Sequence, residues 1–281
     1  MQHEAACASL PRMSASNQHH PLVILGGGYT GRIIYRLACQ RGRVVGLSGR
    51  DPDRSLEEYP ASSRLRFDLL DKSSWTNLPS DADIVWTFPA EPLEAVQTFI
   101  AQIGSRIRRP VVLGSTSAYD RAPEVERGEW ISEGAQLDLS SPRVQGEEWL
   151  RGHGQAVILR VAGIYGPGRN PLNWIRQGRV PYSTRWVNLI HVEDLAAICL
   201  AAVERGRPGE SYNVSDGTPR RWSEIMDAAA RWQVPLPAME THPRPGKRLD
   251  NTKLRTELGY TIQHPDLATE LDQLERSSDP F

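Results

Sequence analysis

Apolar positions fall into short unbroken runs and helix-spaced sets that alternate over the first 160 residues. LVILG (22–26), RVVGLS (43–48), RLRFD (64–68), DIVWTF (83–88), PVVLGS (110–115) and QAVILR (155–160) have the length and composition of buried strands. Between them IIYRLACQ has helical spacing, and a helix is predicted from about Leu93 to Ile103. Ser141-Pro142 opens another over RVQGEEWL, with a hydroxyl at the cap and proline in the first turn, where no backbone N–H is needed. Strands alternating with helices predict an α/β, doubly wound parallel sheet with helices on both faces.

The remainder changes character. Gly, Pro and Arg crowd 163–185, and a short apolar run, WVNLI (186–190), leads into HVEDLAAICLAAVERG. There a helix is predicted to begin at Glu193 or Asp194 and to end at Gly206. SYNVSD reads as one more strand, and RRWSEIMDAAARW and NTKLRTELGY as helices. The expected organisation is a disordered N-terminal tail over 1–20, a sheet domain over 21–160, and a small C-terminal lobe over 161–281 that interleaves with the end of the sheet.

Composition narrows the class. With 281 residues, 39% hydrophobic, 24% charged and a net charge of −1, the chain reads as globular and lacks the basic excess of a nucleic-acid protein. Cys7, Cys39 and Cys199 are odd in number and widely spaced, so neither a disulfide framework nor a zinc site is expected. No apolar run approaches the ~18 residues of a membrane helix, and the N-terminal stretch has no secretory-signal core. The expectation is a cytoplasmic protein with no membrane and no nucleic-acid partner. Arginine supplies most of the positive charge; the lysines are Lys72, Lys247 and Lys253.

The first strand runs directly into Gly26-Gly27-Gly28-Tyr29-Thr30-Gly31, a G-x-G-x-x-G at a helix start. The first glycine allows the tight turn, the second lets a pyrophosphate approach the backbone, and the third lets helix and strand pack closely. The helix start adds free N–H groups and a positive dipole end. This strand–turn–helix context marks a dinucleotide site, with Gly26, Gly28, Tyr29, Thr30 and Gly31 at the cofactor. The second strand ends LSGR, so Ser48 and Arg50 stand where NAD enzymes carry an acid. Arginine pairs with a 2′-phosphate, which favours NADP; selection by Asp51 or Asp53, and hence NAD, stays open.

GGGYTGR, FDLLD, GSTSAYD, LRVAGIYGPGRNPL, NLIHVEDLA, SYNVSDGTP and RLDNTKLRTELGY, in that order over about residues 22 to 262, together resemble the extended short-chain dehydrogenase/reductase family. That family comprises NAD(P)-dependent epimerases and dehydratases; the likeness is to its atypical bacterial epimerase-like members. The resemblance implies a Rossmann fold. It implies Asp68 and Leu69 beside the adenine and Pro89 beside the nicotinamide ribose. It places Ser115 on the substrate's reacting oxygen and Tyr119 near the pocket, with Tyr165 and Arg248 on the substrate, Arg248 toward a phosphate. Arg160, Arg169 and Arg185 are further candidates for an anion pocket, whereas His191 reads as a packed residue.

The family's acid–base pair is Tyr-x-x-x-Lys on the helix that Ser141-Pro142 opens. Counting back from Glu147 puts Arg143 at the lysine position and Leu139 at the tyrosine position; counting from Glu148 gives Val144 and Ser140. No tyrosine in the chain has a lysine four residues on. Arg143 can keep a fixed charge near the ribose but cannot carry a proton, its pKa exceeding about 12. The function the resemblance implies is an NADP-dependent oxidoreductase or epimerase-like enzyme acting on a small hydroxyl- or carbonyl-bearing, sugar-nucleotide-like substrate. Ser115 would polarise the oxygen, Arg143 would hold the cofactor, and Tyr119, a substrate group or ordered water would give the proton. The alternative is a protein that binds NADP(H) without turnover, as a redox sensor or assembly scaffold. A homodimer through the helix of Ser141-Pro142 also follows from the resemblance.

Overall fold

The computed structural model describes residues 20–241 and 245–277; the expected N-terminal tail, with Cys7, lies outside them apart from residue 20. Seven parallel strands form the central sheet: β1 (Leu22–Leu25), β2 (Val45–Gly49), β3 (Arg64–Arg66), β4 (Ala82–Trp86), β5 (Ile107–Ser115), β6 (Val157–Val161) and β7 (Ser211–Val214). Their spatial order is β7-β6-β5-β4-β1-β2-β3, every neighbouring pair parallel. The order reverses between β1 and β4, which leaves a crevice outside their carboxyl ends. This is a doubly wound, Rossmann-type sheet.

The period of two along each strand divides the core into two layers. Leu22 and Ile24 of β1 and Val85 of β4 face one way, packed with Ile34 of helix α1 (Tyr29–Gln40). Val23, Leu25, Ile84 and Trp86 face the other way, packed with Val96 and Phe99 of α2 (Leu93–Ile103) and Leu150 of α3 (Pro142–His153). The first layer is completed by α4 (Val192–Arg205), whose Leu195, Ile198 and Cys199 are buried against α1 and the sheet.

The chain crosses twice between sheet and lobe. After β6 it leaves to form the short parallel pair 163–165 with 189–191, returns as α4 and β7, and leaves again. A strand pair 186–187 with 220–221, helix α5 (Trp222–Ala229), α6 (Thr252–Glu257) and α7 (Leu267–Arg276) follow. Tyr165, Leu172, Leu189, Met226 and Leu271 make the lobe's own core. A last parallel pair, 130–131 with 248–249, ties the C-terminal segment to the loop after β5. Among the described residues no helix is long and apolar enough to cross a membrane.

The WVNLI run contributes to two short strands, 186–187 and 189–191. Two local expectations change. Helix α4 starts at Val192, earlier than Glu193 or Asp194, because the His191 side chain caps it by accepting the Glu193 N–H. Asp194 is then free to tie down the C-terminal segment, accepting from Tyr260 Oη (2.7 Å), Gln263 N (2.8 Å) and His264 N (2.9 Å). Finally, Ser141 is the N-cap of α3 but its hydroxyl makes no capping hydrogen bond; Pro142 at the first position sets the helix start.

Candidate functional site

The glycine loop shows why each glycine is needed. Gly26 has φ of +106°, and a Cβ there would sit 2.5 Å from Thr87 Oγ1. A Cβ on Gly31 would sit 2.0 Å from the Gly26 carbonyl oxygen, so helix α1 reaches β1 only through hydrogen. Gly28 differs: a Cβ there would meet nothing within 4 Å. Its backbone faces open space, the position at which a pyrophosphate would approach the helix start. Helix α1 has no acidic residue in its first turn and no side chain capping its end.

Gly26, Gly27 and Gly28 form one wall of a cavity of about 790 Å³. The end of β2 with Arg50, Asp51 and Arg54 forms another, and the Phe67–Leu70 turn with Phe88 and Glu91 closes it. Asp68 and Leu69 therefore stand in this cavity with the glycine loop, as does Arg50. Ser48 lines it too, but its hydroxyl is spent on the fold, accepting the Gly26 N–H at 3.1 Å. Arg50 and Arg54 are exposed at the cavity and make no ion pair or side-chain hydrogen bond among the described residues. Sequence reasoning missed Arg54, Phe67 and Phe88; the helical turn 52–55 brings Arg54 back beside Arg50. Tyr29 is half-buried under the Arg169 guanidinium, 5.3 Å from its ring centroid, and burial pushes its phenol up to about 12. Thr30 is buried within the first turn of α1. Pro89 is exposed on the loop after β4, next to Ala90, whose carbonyl touches α3.

A second cavity, about 330 Å³, opens beyond the carboxyl end of β5. Thr116, Gly163, Asn188 and Lys247 line it, with Arg179 and Arg185 and the indoles of Trp186 and Trp222. Ser115 ends β5 one residue before Thr116 and is partly exposed; its hydroxyl accepts from Ser117 N (3.1 Å) and Ser117 Oγ (2.9 Å). A further cavity of about 390 Å³ lies at the opposite, amino ends of β5 and β6, around Arg109, Pro110 and Gln155.

The other predicted site residues are not brought together there. Tyr119 is fully buried, its hydroxyl donates to Asn213 Oδ1 at 2.9 Å, and burial raises its pKa; it lines neither the 790 nor the 330 Å³ cavity. Tyr165 is likewise packed in the lobe core against His191. Arg248 lies over Trp130 (4.5 Å) and Trp186 (5.2 Å) rather than in the cavity. Arg143 is engaged on both sides: Nε donates to Glu147 Oε1 at 2.7 Å and Nη2 to the Leu113 carbonyl at 2.8 Å. Glu147, which burial pushes above the usual carboxylate range, also accepts from Arg160 Nη1 at 3.1 Å. Arg160, 1% exposed, reaches Glu148 as well and covers the Tyr119 ring. Arg160 is thus a structural cation, not an anion-pocket residue. Leu139 is 57% exposed ahead of the helix and offers no acid.

His191, Glu193 and His264 each bring one ligand-type atom within 4.8 Å of the others. The two imidazoles are stacked with centroids 4.0 Å apart, and His264 Nδ1 faces Asp194 Oδ2 at 3.1 Å. The two rings are tilted 30° to each other and pack face to face.

No protein-family model matches the chain. Protein YeeZ of Escherichia coli (strain K12) is 28% identical over 201 residues, 66% of this chain and 73% of its own. A protein assigned as an NAD-dependent epimerase/dehydratase from Methylobacillus flagellatus is 25% identical, with a TM-score of 0.72 over 92% of this chain and 98% of that one. The Bordetella bronchiseptica enzyme WbmG, solved with NAD and UDP, superposes with a TM-score of 0.75 at 17% identity, covering 93% of this chain and 96% of that one. Fold and glycine-loop cleft together define a Rossmann-type protein whose structural neighbours are NAD-dependent epimerase/dehydratase and short-chain dehydrogenase/reductase superfamily proteins. These likenesses show the fold that the chain shares with them.

Proposed function

We propose that the protein is a nicotinamide-dinucleotide oxidoreductase of epimerase/dehydratase type, using NADP in preference to NAD, on a small hydroxyl- or carbonyl-bearing substrate. The observation that carries this reading is the open backbone at Gly28 between two glycines that close contacts forbid from being anything else. The residues fit the cofactor. The α1 N-terminus would take the pyrophosphate, the Phe67–Leu70 turn would flank the adenine, and Arg50 with Arg54 would pair a 2′-phosphate. When bound, a nicotinamide supplies or accepts hydride. Substrate would lie in the cavity of Thr116, Gly163 and Asn188, beside the Ser115 hydroxyl. NAD in complexes of WbmG supports the cofactor class, and UDP in one of them supports a nucleotide-linked substrate. The 161–281 segment is read as the substrate lobe, and a homodimer through α3 belongs to the same reading, to be checked by light scattering.

A second reading, binding without turnover, draws on Arg143 and Leu139: the first is locked into Glu147, the second has no proton to give. Fluorescence titration with NADPH and NADH tests both. Arg50→Ala should weaken NADPH more than about tenfold, the loss of a charge-assisted bond, and leave NADH within about twofold. Equal loss for both cofactors would remove the NADP assignment. Deuteride transfer from labelled NADPH to a panel of carbonyl compounds separates the enzyme from the sensor: intact cofactor throughout, despite tight binding, would favour the sensor.

A further inference from the structure

Where the family's tyrosine and lysine would stand, this chain has Leu139 and Arg143, yet a lysine reaches the cavity beyond β5 from the other end of the chain. Lys247 and Thr116 line the same space of about 330 Å³. The Lys247 side chain is 14% exposed and its Nζ pairs with Asp120, just beyond the turn that follows β5. Asn188 holds the segment in register: its Nδ2 donates to the Lys247 carbonyl at 2.7 Å and its Oδ1 accepts from Leu249 N at 3.0 Å. Lys247 is therefore a positioned side chain, not a surface cation.

Its chemical type matters in this sequence. Of 33 lysines and arginines, three are lysines. Lys253 pairs with Glu210 at 2.6 Å, and Lys72 sits in a turn beside β3. Arginine keeps its proton throughout the pH range of folded proteins, whereas burial moves a lysine toward releasing its own. The groups facing Lys247 act in both directions. Burial and the Arg185 guanidinium disfavour its ammonium form, Asp120 favours it, and Arg179 and Glu240 line the same cavity. Burial is the largest of these, and it lowers the lysine from its ordinary value.

We propose that Lys247 is the acid–base residue of this site, exchanging a proton with the substrate oxygen, and that Asp120 positions it. This role rests on the oxidoreductase reading. In the reducing direction a reduced nicotinamide, when bound, would supply hydride to the carbonyl carbon, and the C=O π pair would move onto oxygen. The Lys247 N–H bond breaks as the O–H bond forms, and the neutral amine regains its proton from water; oxidation runs the same step in reverse. The proton-transfer function lost from α3 is thereby supplied by the C-terminal segment.

Three lysines make the test direct. Reductive ¹³C-methylation followed by NMR gives one signal for each, assigned through Lys72→Arg and Lys253→Arg. The Lys247 signal should titrate at lower pH than the other two, and Asp120→Asn should lower it further. In turnover of NADPH with the carbonyl panel, Lys247→Gln and Lys247→Arg should both lose about 100-fold or more in kcat, with NADPH affinity within about twofold. Lys247→Arg is decisive, because it keeps charge and reach but cannot give the proton. Retention of activity by Lys247→Arg, or titration of Lys247 together with Lys72 and Lys253, overturns this role alone. A wild-type protein that turns over no carbonyl compound overturns the oxidoreductase reading and this role with it.

Discussion

Gly28 and Gly31 are three residues apart and do opposite things. Gly31 is required by the fold, since its missing Cβ lets the Gly26 carbonyl approach α1; Gly28 is required by nothing the protein itself places nearby. Gly31→Ala should therefore destabilise the protein by about 1–3 kcal/mol, the usual cost of overpacking, and lose dinucleotide binding as a consequence. Gly28→Ala should leave the denaturant midpoint almost unchanged and still weaken dinucleotide binding, because the methyl group would occupy the approach to the helix start. Denaturation and fluorescence titration on the two variants check this; equal stability losses would deny Gly28 its separate role. The glycine motif could be read from sequence because its spacing and its place between a strand and a helix start are local. Lys247 could not, because what makes it chemically distinct is burial beside Asp120, 127 residues earlier in the chain. The sequence pointed to its neighbour Arg248, which the structure turns onto two indoles.

At the scale of elements, the ends of helices carry more information than their middles. Helix α2 matches its predicted span from Leu93 to Ile103, since apolar spacing alone defines it. Helix α4 does not, because its cap is a histidine chosen by tertiary packing rather than one of the usual acidic or hydroxyl residues. His191 is buried, stacked on His264 and near Asp194, and burial together with His264 lowers it to about 4. The folded imidazole thus refuses a proton that the unfolded chain accepts below about pH 6.5. Its contribution is fully present above that pH and is lost as pH falls toward 4, by up to about 3 kcal/mol. His191→Asn, which keeps a capping acceptor, should remove up to one proton from the pH dependence of stability in that window. Urea melts between pH 4 and 7.5 measure it, and an unchanged slope would show that another group titrates there. Helix α3 shows the same dependence on neighbours. Gly146 lets Ala90 reach it, since a Cβ would lie 1.8 Å from that carbonyl oxygen, and Glu147 faces inward to hold Arg143 and Arg160.

Across the whole molecule, two crossings between sheet and lobe make one structure of two regions. β7 completes the sheet only after the 163–191 excursion, and the 248–249 strand returns to the loop that follows β5. Ligand bound at the glycine loop should therefore stabilise the lobe as well as the sheet. NADPH at about 100 times its Kd should raise the unfolding free energy by about 2.7 kcal/mol, in a single transition seen alike by tryptophan fluorescence and circular dichroism. Two separated transitions, with only the first moving on cofactor addition, would show that sheet and lobe unfold independently.

The sequence by itself determined the doubly wound class and the glycine turn at the start of α1. These follow from periodicity, backbone freedom and residue identity, all short-range properties that a chain carries before it folds. Tertiary structure alone decided that Tyr119 is buried on Asn213, Tyr165 packed in the 161–281 core and Arg248 laid over Trp130, that Arg143 pairs with Glu147, and that Lys247 and Thr116 line one cavity. Burial and charge pairing depend on which distant segments meet. That meeting changes the chemistry of a side chain without changing any residue near it in sequence.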